Sequence, residues 1–341
     1  MLTRTLVISL RTLLTVTILC TLSASVYAAK SKTGFSSFIV GNAVDAPPAA
    51  TLSPGLVLMG GGTDVDAAFQ WMCGRAGGGD FVVIRTTGTD AYNPYIQQLC
   101  PQMDSVETII ITSVTGANSA YVSTQIQNAE ALWIAGGDQS TYVNLWRGTA
   151  VQAGIDFLLN SKLAPVGGTS AGLAVLSQFI YTGEVGSVTS SQALANPFHR
   201  YVTLDRDLFQ SALGADKLYD SHFVTRDRMG RSLVFLARIV NNGWATQPRG
   251  IGIDEETALL VLPDGAATMV GVGAAYFLQA PGPAQVLAEK TPMTYLNIGV
   301  YKLPQGGTFD FSTWTGTGGV AYTLNVNNGT VTSTQAGGNI Y

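Results

Sequence analysis

From residue 54 onward the chain alternates between two spacings of apolar residues. The stretches PGLVLMGGG (54–62), FVVIRTT (81–87), VETIIIT (106–112) and ALWIAGG (131–137) are near-continuous and rich in β-branched residues, which predicts buried strands. Between and after them, residues 63–77, 92–100, 119–129 and 140–160 carry apolar residues at helical spacing, with Thr63 as the expected N-cap of the first helix. KLAPVGGTSAG (162–172) closes this half as strand, tight turn and helix start. Apolar strands separated by helices belong to a sheet covered on both faces. The expected fold class is therefore α/β, a doubly wound, mostly parallel sheet.

The rhythm breaks over 183–215, which reads as a surface excursion, and resumes with a strand in KLYDSHF (217–223) and a helix over 228–241. After 249 the pattern becomes strand upon strand: GIGID, ALLVL, ATMVGV and AYFLQA. Beyond about 290, TYLNIGVYKL and AYTLNVNNGTVTS predict hairpins with Asn-Gly turn chemistry. The expected organisation is a leader over 1–28, an α/β domain over 29–290, and a β-rich C-terminal extension over 291–341. In open α/β sheets ligands bind beyond the carboxyl ends of strands. The glycine clusters at 60–62, 136–138 and 167–172 all lie at such ends, so they are expected to meet in one crevice.

Charge changes the picture by exclusion. The chain is 12% charged with a formal net charge of −4, which argues against a general nucleic-acid binder. Arg4 and Arg11, the apolar run LLTVTILCTL and the small residues of SASVYA make a secretory signal peptide, with cleavage expected after Ala28. Leu19 is bulky where a lipidated Cys20 would need a small neighbour. No other apolar run is long enough to cross a membrane. The expected location is therefore secreted or periplasmic. Cys73 and Cys100 remain, either as a disulfide worth roughly 3 kcal/mol or as two buried thiols. Neither has a partner at metal-ligand spacing, so no zinc site and no metal is expected.

GTSAG (168–172) fits G-x-S-x-G, the turn that lifts a serine hydroxyl clear of a sheet and aims the next amide, that of Ala171, at an oxyanion. The simpler reading is a glycine-rich helix start; the flanking strand and helix favour a nucleophile. A serine nucleophile needs a base, and the chain has two histidines. His199 lies in the irregular excursion, whereas His222 ends a predicted strand, on the same sheet edge as Ser170. An acid should orient the imidazole, and Asp254, Glu255 and Glu256 follow another strand; spacing does not choose among them. No histidine follows 222, so the order Ser, His, acid departs from that of α/β-hydrolases. Arg226, Arg228 and Arg231 gather around a helix start, where the helix dipole opposes positive charge. They make either an anion site for a substrate carboxylate or ion pairs with Asp220 and Asp227.

Together GGDQ, GTSAG, DSHFVTRDRMGR and GIGIDEETA resemble the cyanophycinases, in the serine-peptidase family that includes the aspartyl dipeptidases; the resemblance covers most of residues 54–280. It implies a class I glutamine-amidotransferase-like α/β fold and catalysis by Ser170, His222 and Glu255. Gly137 would join Ala171 in the oxyanion hole. Gln139, Asp220, Arg226, Arg228 and Arg231 match positions that bind a β-aspartyl-arginine unit, the arginines reading carboxylates and acidic groups the guanidinium. Retention of all three arginines favours cyanophycinase over a simple dipeptidase. The implied substrate is cyanophycin or another β-Asp-linked peptide, with no cofactor, no nucleic-acid partner, and a homodimer as the family expectation. The long segment between Ser170 and His222 and the β-rich tail depart from the family pattern.

Overall fold

The structure, a computed structural model, describes residues 33–48 and 50–341. The expected signal peptide lies outside the described residues. Among those described, no helix is long and apolar enough to cross a membrane.

Five strands run parallel in the spatial order Ser105–Ile111, Asp80–Arg85, Ala131–Ile134, Pro165–Thr169 and Gly55–Met59. Their side chains alternate between two cores. Leu56, Leu58, Leu132 and Ile134 enter one, with Ile126, Val143 and Ile155 from helices Ala120–Asn128, Gln139–Trp146 and Ala150–Phe157. Val57, Met59, Ala131 and Trp133 enter the other, with Phe69 and Met72 of helix Asp66–Ala76 and Ile96 of helix Tyr92–Leu99. Both faces are therefore buried, which is why these strands read as unbroken apolar runs.

The strands do not form one sheet, as expected, but two. The first continues antiparallel at both edges, through Phe35–Gly41 on one side and Thr257–Val261 and Ala266–Gly271 on the other. The second holds Phe179–Tyr181, Lys217–Asp220 and Arg249–Ile253 in parallel, then Ala274–Gln279, Tyr295–Pro304, Val320–Asn327 and Thr330–Ser333 antiparallel. Tyr219, Ile253 and Phe277 of the second sheet share a core with Leu259 and Met269 of the first. Its far face packs on Leu233, Phe235 and Leu236 of helix Met229–Asn241. Ser170 and His222 thus follow strands of different sheets, not one edge.

Residues 291–341 are β-rich and continue both sheets. Tyr295–Pro304 pairs along Ala274–Gln279, and Thr308–Asp310 pairs with Ala266–Gly271 in the first sheet. Asn328 and Gly329, at φ 46° and 78°, make the left-handed turn between the last two strands. The excursion over 183–215 contains one short helix, Ser190–Ala195, and one short strand, Leu204–Arg206.

Cys73 and Cys100 form a disulfide with Cα atoms 6.0 Å apart, joining helix Asp66–Ala76 to the end of helix Tyr92–Leu99. Their sequence separation of 27 corresponds to roughly 3–4 kcal/mol of loop-closure entropy removed from the unfolded chain.

Candidate active site

Ser170 ends strand Pro165–Thr169 and precedes the single turn Ala171–Ala174, with φ 54° and ψ −112°. A non-glycine residue at such dihedrals is strained, and strain of this kind persists where packing over-determines it. Here the packing is supplied by glycine on either side. A Cβ on Gly168 would stand 2.5 Å from the Gly172 carbonyl carbon, and one on Gly172 would stand 2.0 Å from the Ile134 oxygen. The Ser170 amide donates to Met59 O at 3.1 Å, tying the turn to the neighbouring strand.

The imidazole arrives from the second sheet. Ser170 Oγ lies 2.8 Å from His222 Nε2, and His222 Nδ1 lies 2.5 Å from Glu255 Oε1. His222 has φ 46° and is 6% exposed. The three residues meet across the 60–62 glycine run. Gly60 accepts from the His222 amide at 2.8 Å, and Gly61 accepts from the Glu256 amide at 2.8 Å. Gly61 lies against the imidazole and Gly62 against the Glu255 side chain, leaving no room for a Cβ at either. That explains why the first helix begins at Asp66 with Val65 as its N-cap, later than expected: residues 60–62 line the relay, and the Thr63 hydroxyl donates to Glu256 Oε1 at 3.3 Å instead of capping.

The three adjacent acids separate by geometry. Asp254 Oδ1 accepts from the amides of Val224 and Thr225 and from the Thr225 hydroxyl, at 3.1, 3.0 and 2.9 Å, so it fastens the loop that carries His222. Glu255 alone reaches the imidazole. Glu256 turns away at φ 55°. His199 lies outside the relay; its Nδ1 accepts from the Tyr201 amide.

Burial, reinforced by Arg226 and Arg228 and opposed by Glu255, holds His222 below the ordinary imidazole range. A neutral imidazole with Nδ1 bonded to a carboxylate leaves Nε2 to accept a proton from the serine. Opposite the serine, Tyr142 donates to the carbonyls of Ala135 and Gly136 and so fixes the loop containing Gly137. Among the described residues neither the Gly137 nor the Ala171 amide donates to a turn, loop or neighbouring strand; Gly137 lines the cleft, and Ala171 directly follows Ser170, which lines it too.

Gln139, Asp220, Arg226, Arg228 and Arg231 all line this cleft, together with Gly137, Ser170 and Tyr181. Their availability differs. Arg231 is 2% exposed and meets Asp220 through Nε to Oδ2 at 2.8 Å and Nη2 to Oδ1 at 2.5 Å. It also lies over the Tyr181 ring at 4.7 Å. Arg228 contacts Asp220 at 3.4 Å and the Ser221 carbonyl at 2.8 Å; burial pulls its guanidinium down to about 10. Burial alone would raise the Asp220 carboxyl, but Arg231 and Arg228 outweigh it and hold that carboxyl below the ordinary range. Asp220 is thus engaged within the protein rather than open to a substrate guanidinium. Arg226 keeps 54% of its side chain exposed, with Nε 3.7 Å from Glu255 Oε1. The Gln139 amide donates to the Tyr181 carbonyl at 3.1 Å.

One support had no signal in the sequence. The Tyr341 hydroxyl accepts from the Met229 amide at 3.0 Å and donates to Asp227 Oδ1 at 2.8 Å, bracing the arginine loop at the start of its helix. A residue 114 positions away is beyond any local pattern.

No family model matches this chain. Over 212 residues it is 24% identical to the cyanophycinases of Nostoc sp. and of Trichormus variabilis, covering 60% of this chain and 65% of each of theirs. The chain thus spans less than two thirds of the length of those curated relatives. Among solved structures, a peptidase from an acI-B1 Actinobacterium superposes with a TM-score of 0.50 at 15% identity, covering 76% of this chain and 97% of that one. The chain is a distant relative of the cyanophycinases and shares a mixed α/β fold with that peptidase.

Proposed function

We propose that this relative of the cyanophycinases is an exported serine-type peptidase that cleaves cyanophycin, or another β-Asp-linked peptide, through an acyl-enzyme. The class I glutamine-amidotransferase-like fold is part of the same proposal. Ser170 Oγ attacks the scissile carbonyl carbon while His222 Nε2 takes its proton; Glu255 stabilises the resulting imidazolium. The amides of Gly137 and Ala171 receive the oxyanion. As the tetrahedral intermediate collapses, the C–N bond breaks and His222 returns the proton to the leaving amine. Water then repeats the sequence on the ester and frees Ser170.

The observation that carries this reading is the relay of 2.8 and 2.5 Å contacts joining a backbone-strained serine, a buried histidine and the Glu255 carboxyl group. Arg226, exposed at the cleft, and the remaining donors of Arg228 supply the positive charge for a substrate carboxylate. The Asp220–Arg231 pair forms a rigid polar wall behind them. The disulfide and the leader expected over 1–28 support export, since disulfides persist in oxidising compartments.

The test is incubation of the purified mature protein with insoluble cyanophycin and identification of soluble products by mass. Release of β-Asp-Arg dipeptide, absent with Ser170→Ala, is the expected result. A folded protein whose Ser170 reacts with a fluorophosphonate but which releases nothing would refute cyanophycin as the substrate and leave a serine peptidase with a different β-linked one. Undiminished release by Ser170→Ala would refute the mechanism.

A further inference from the structure

Beside the catalytic cleft lies a second cavity, lined by Ser140, Thr182, Glu184, Asp205, Arg238 and Trp244 among others. The two are continuous along the chain. Gln139 and Tyr181 line the cleft, while the next residues, Ser140 and Thr182, line the cavity. Helix Met229–Asn241 also serves both. Arg231 and Arg238 lie seven positions apart on it, which returns to one face after about 10 Å of rise.

The charges of this cavity differ from those of the cleft. Among the described residues, neither Arg238 nor Glu184 takes part in an ion pair. Arg238 lies over the Phe198 ring at 4.1 Å and donates from Nη1 to the Pro197 carbonyl at 2.8 Å, while its buried Nε has no partner. Burial is what lowers its guanidinium from the ordinary range. A cation drawn partly out of water without a counter-ion is costly unless something supplies one. Glu184 lines the same cavity from the segment after strand Phe179–Tyr181 and is exposed. Asp205 is paired with Arg147.

We infer that this cavity is a distal subsite that takes a zwitterionic arginyl group of the same polymer, its α-carboxylate on Arg238 and its guanidinium on Glu184. Each repeating unit of a β-arginyl polyaspartate carries one group of each sign, matching the two unpaired side chains. An extended backbone covers about 10 Å in about three residues, so the occupant belongs to a unit beyond the one being cleaved. The inference rests on the proposed substrate class. It adds that the protein senses chain length.

The experiment is steady-state kinetics on soluble β-Asp-Arg oligomers of increasing length, with wild type, Arg238→Gln and Glu184→Gln. Wild-type kcat/KM should climb with length until the distal unit is present. Arg238→Gln should cut kcat/KM for long oligomers by about tenfold, through KM, and leave the shortest cleavable oligomer unchanged. Glu184→Gln should show the same length dependence to a smaller degree, and its exposure keeps a folding defect out of that result. Length-independent wild-type kinetics, or equal losses at every length, overturn the subsite and leave the peptidase reading standing. Failure of wild type to cleave any length, with Ser170 still labelled by fluorophosphonate, overturns the substrate reading itself.

Discussion

Adding one methyl group at Gly61 should disable the protein without replacing any reacting residue. An alanine Cβ there would stand 2.3 Å from His222 Cε1 and 2.6 Å from Nε2, against an ordinary contact of 3.4 Å or more. The imidazole must therefore retreat by about 1 Å, yet it is held by Ser170 at 2.8 Å and Glu255 at 2.5 Å. A displacement of that size in a reacting group costs on the order of a hundredfold in rate. Gly61 also has φ 102°, where a side chain costs roughly 1–3 kcal/mol, so some stability is lost as well. The assay is the second-order rate of fluorophosphonate labelling, which reports serine activation whatever the substrate, beside a thermal melt. Gly74→Ala is the control: it lies in a helix with nothing within 4 Å of the new Cβ and should gain roughly 0.5–1 kcal/mol. If Gly61→Ala is folded and labels at the wild-type rate, the glycine run does not set the imidazole, and the account of the relay is wrong.

Three further outcomes follow from the same geometry. Glu255→Gln should reduce labelling and turnover by up to about 10⁴-fold through loss of imidazole orientation, while Glu256→Gln stays near wild type; equal effects would mean the acid is misassigned. Because burial, with Arg226 and Arg228, lowers the His222 value, the acid limb of kcat/KM should lie below the ordinary histidine range. Arg226→Gln removes one of those cations and should move that limb to higher pH; movement to lower pH would contradict it. Asp220→Asn should destabilise the fold by roughly 3–5 kcal/mol by stranding Arg231 and Arg228. Its carboxyl is held below the ordinary range, so its contribution is full above the unfolded aspartate value and lost as pH falls through the folded one. Denaturant midpoints of wild type and Asp220→Asn should therefore converge in acid, and a gap that stays constant with pH would refute this.

By itself the sequence determined what local spacing controls. The strand and helix alternation from residue 54 to 172 is visible because strands buried on both faces must be apolar at every position. GTSAG announced its turn because only glycine tolerates the approach of Gly168 to Gly172 and of Gly172 to Ile134. Scarcity of histidine narrowed the base to His222. The Phe35–Gly41 strand went unread: an edge strand covered on one side only shows no unbroken apolar run, and FSSFIVG mixes serines into it.

Tertiary structure decided whatever depends on partners far along the chain. Which sheet a strand joins is settled by competition among apolar faces, and every candidate strand after 217 satisfied the same local pattern. Asp254, Glu255 and Glu256 are chemically near-identical neighbours. Only the backbone path, which turns at Glu256 and hands Asp254 to the 224–225 amides, presents Glu255 to the imidazole. The arginine run likewise looked uniform until burial divided it. Arg231 is ion-paired with Asp220 in the interior and Arg226 stays in water, because desolvation depends on what covers a charge and not on which residues stand beside it in sequence.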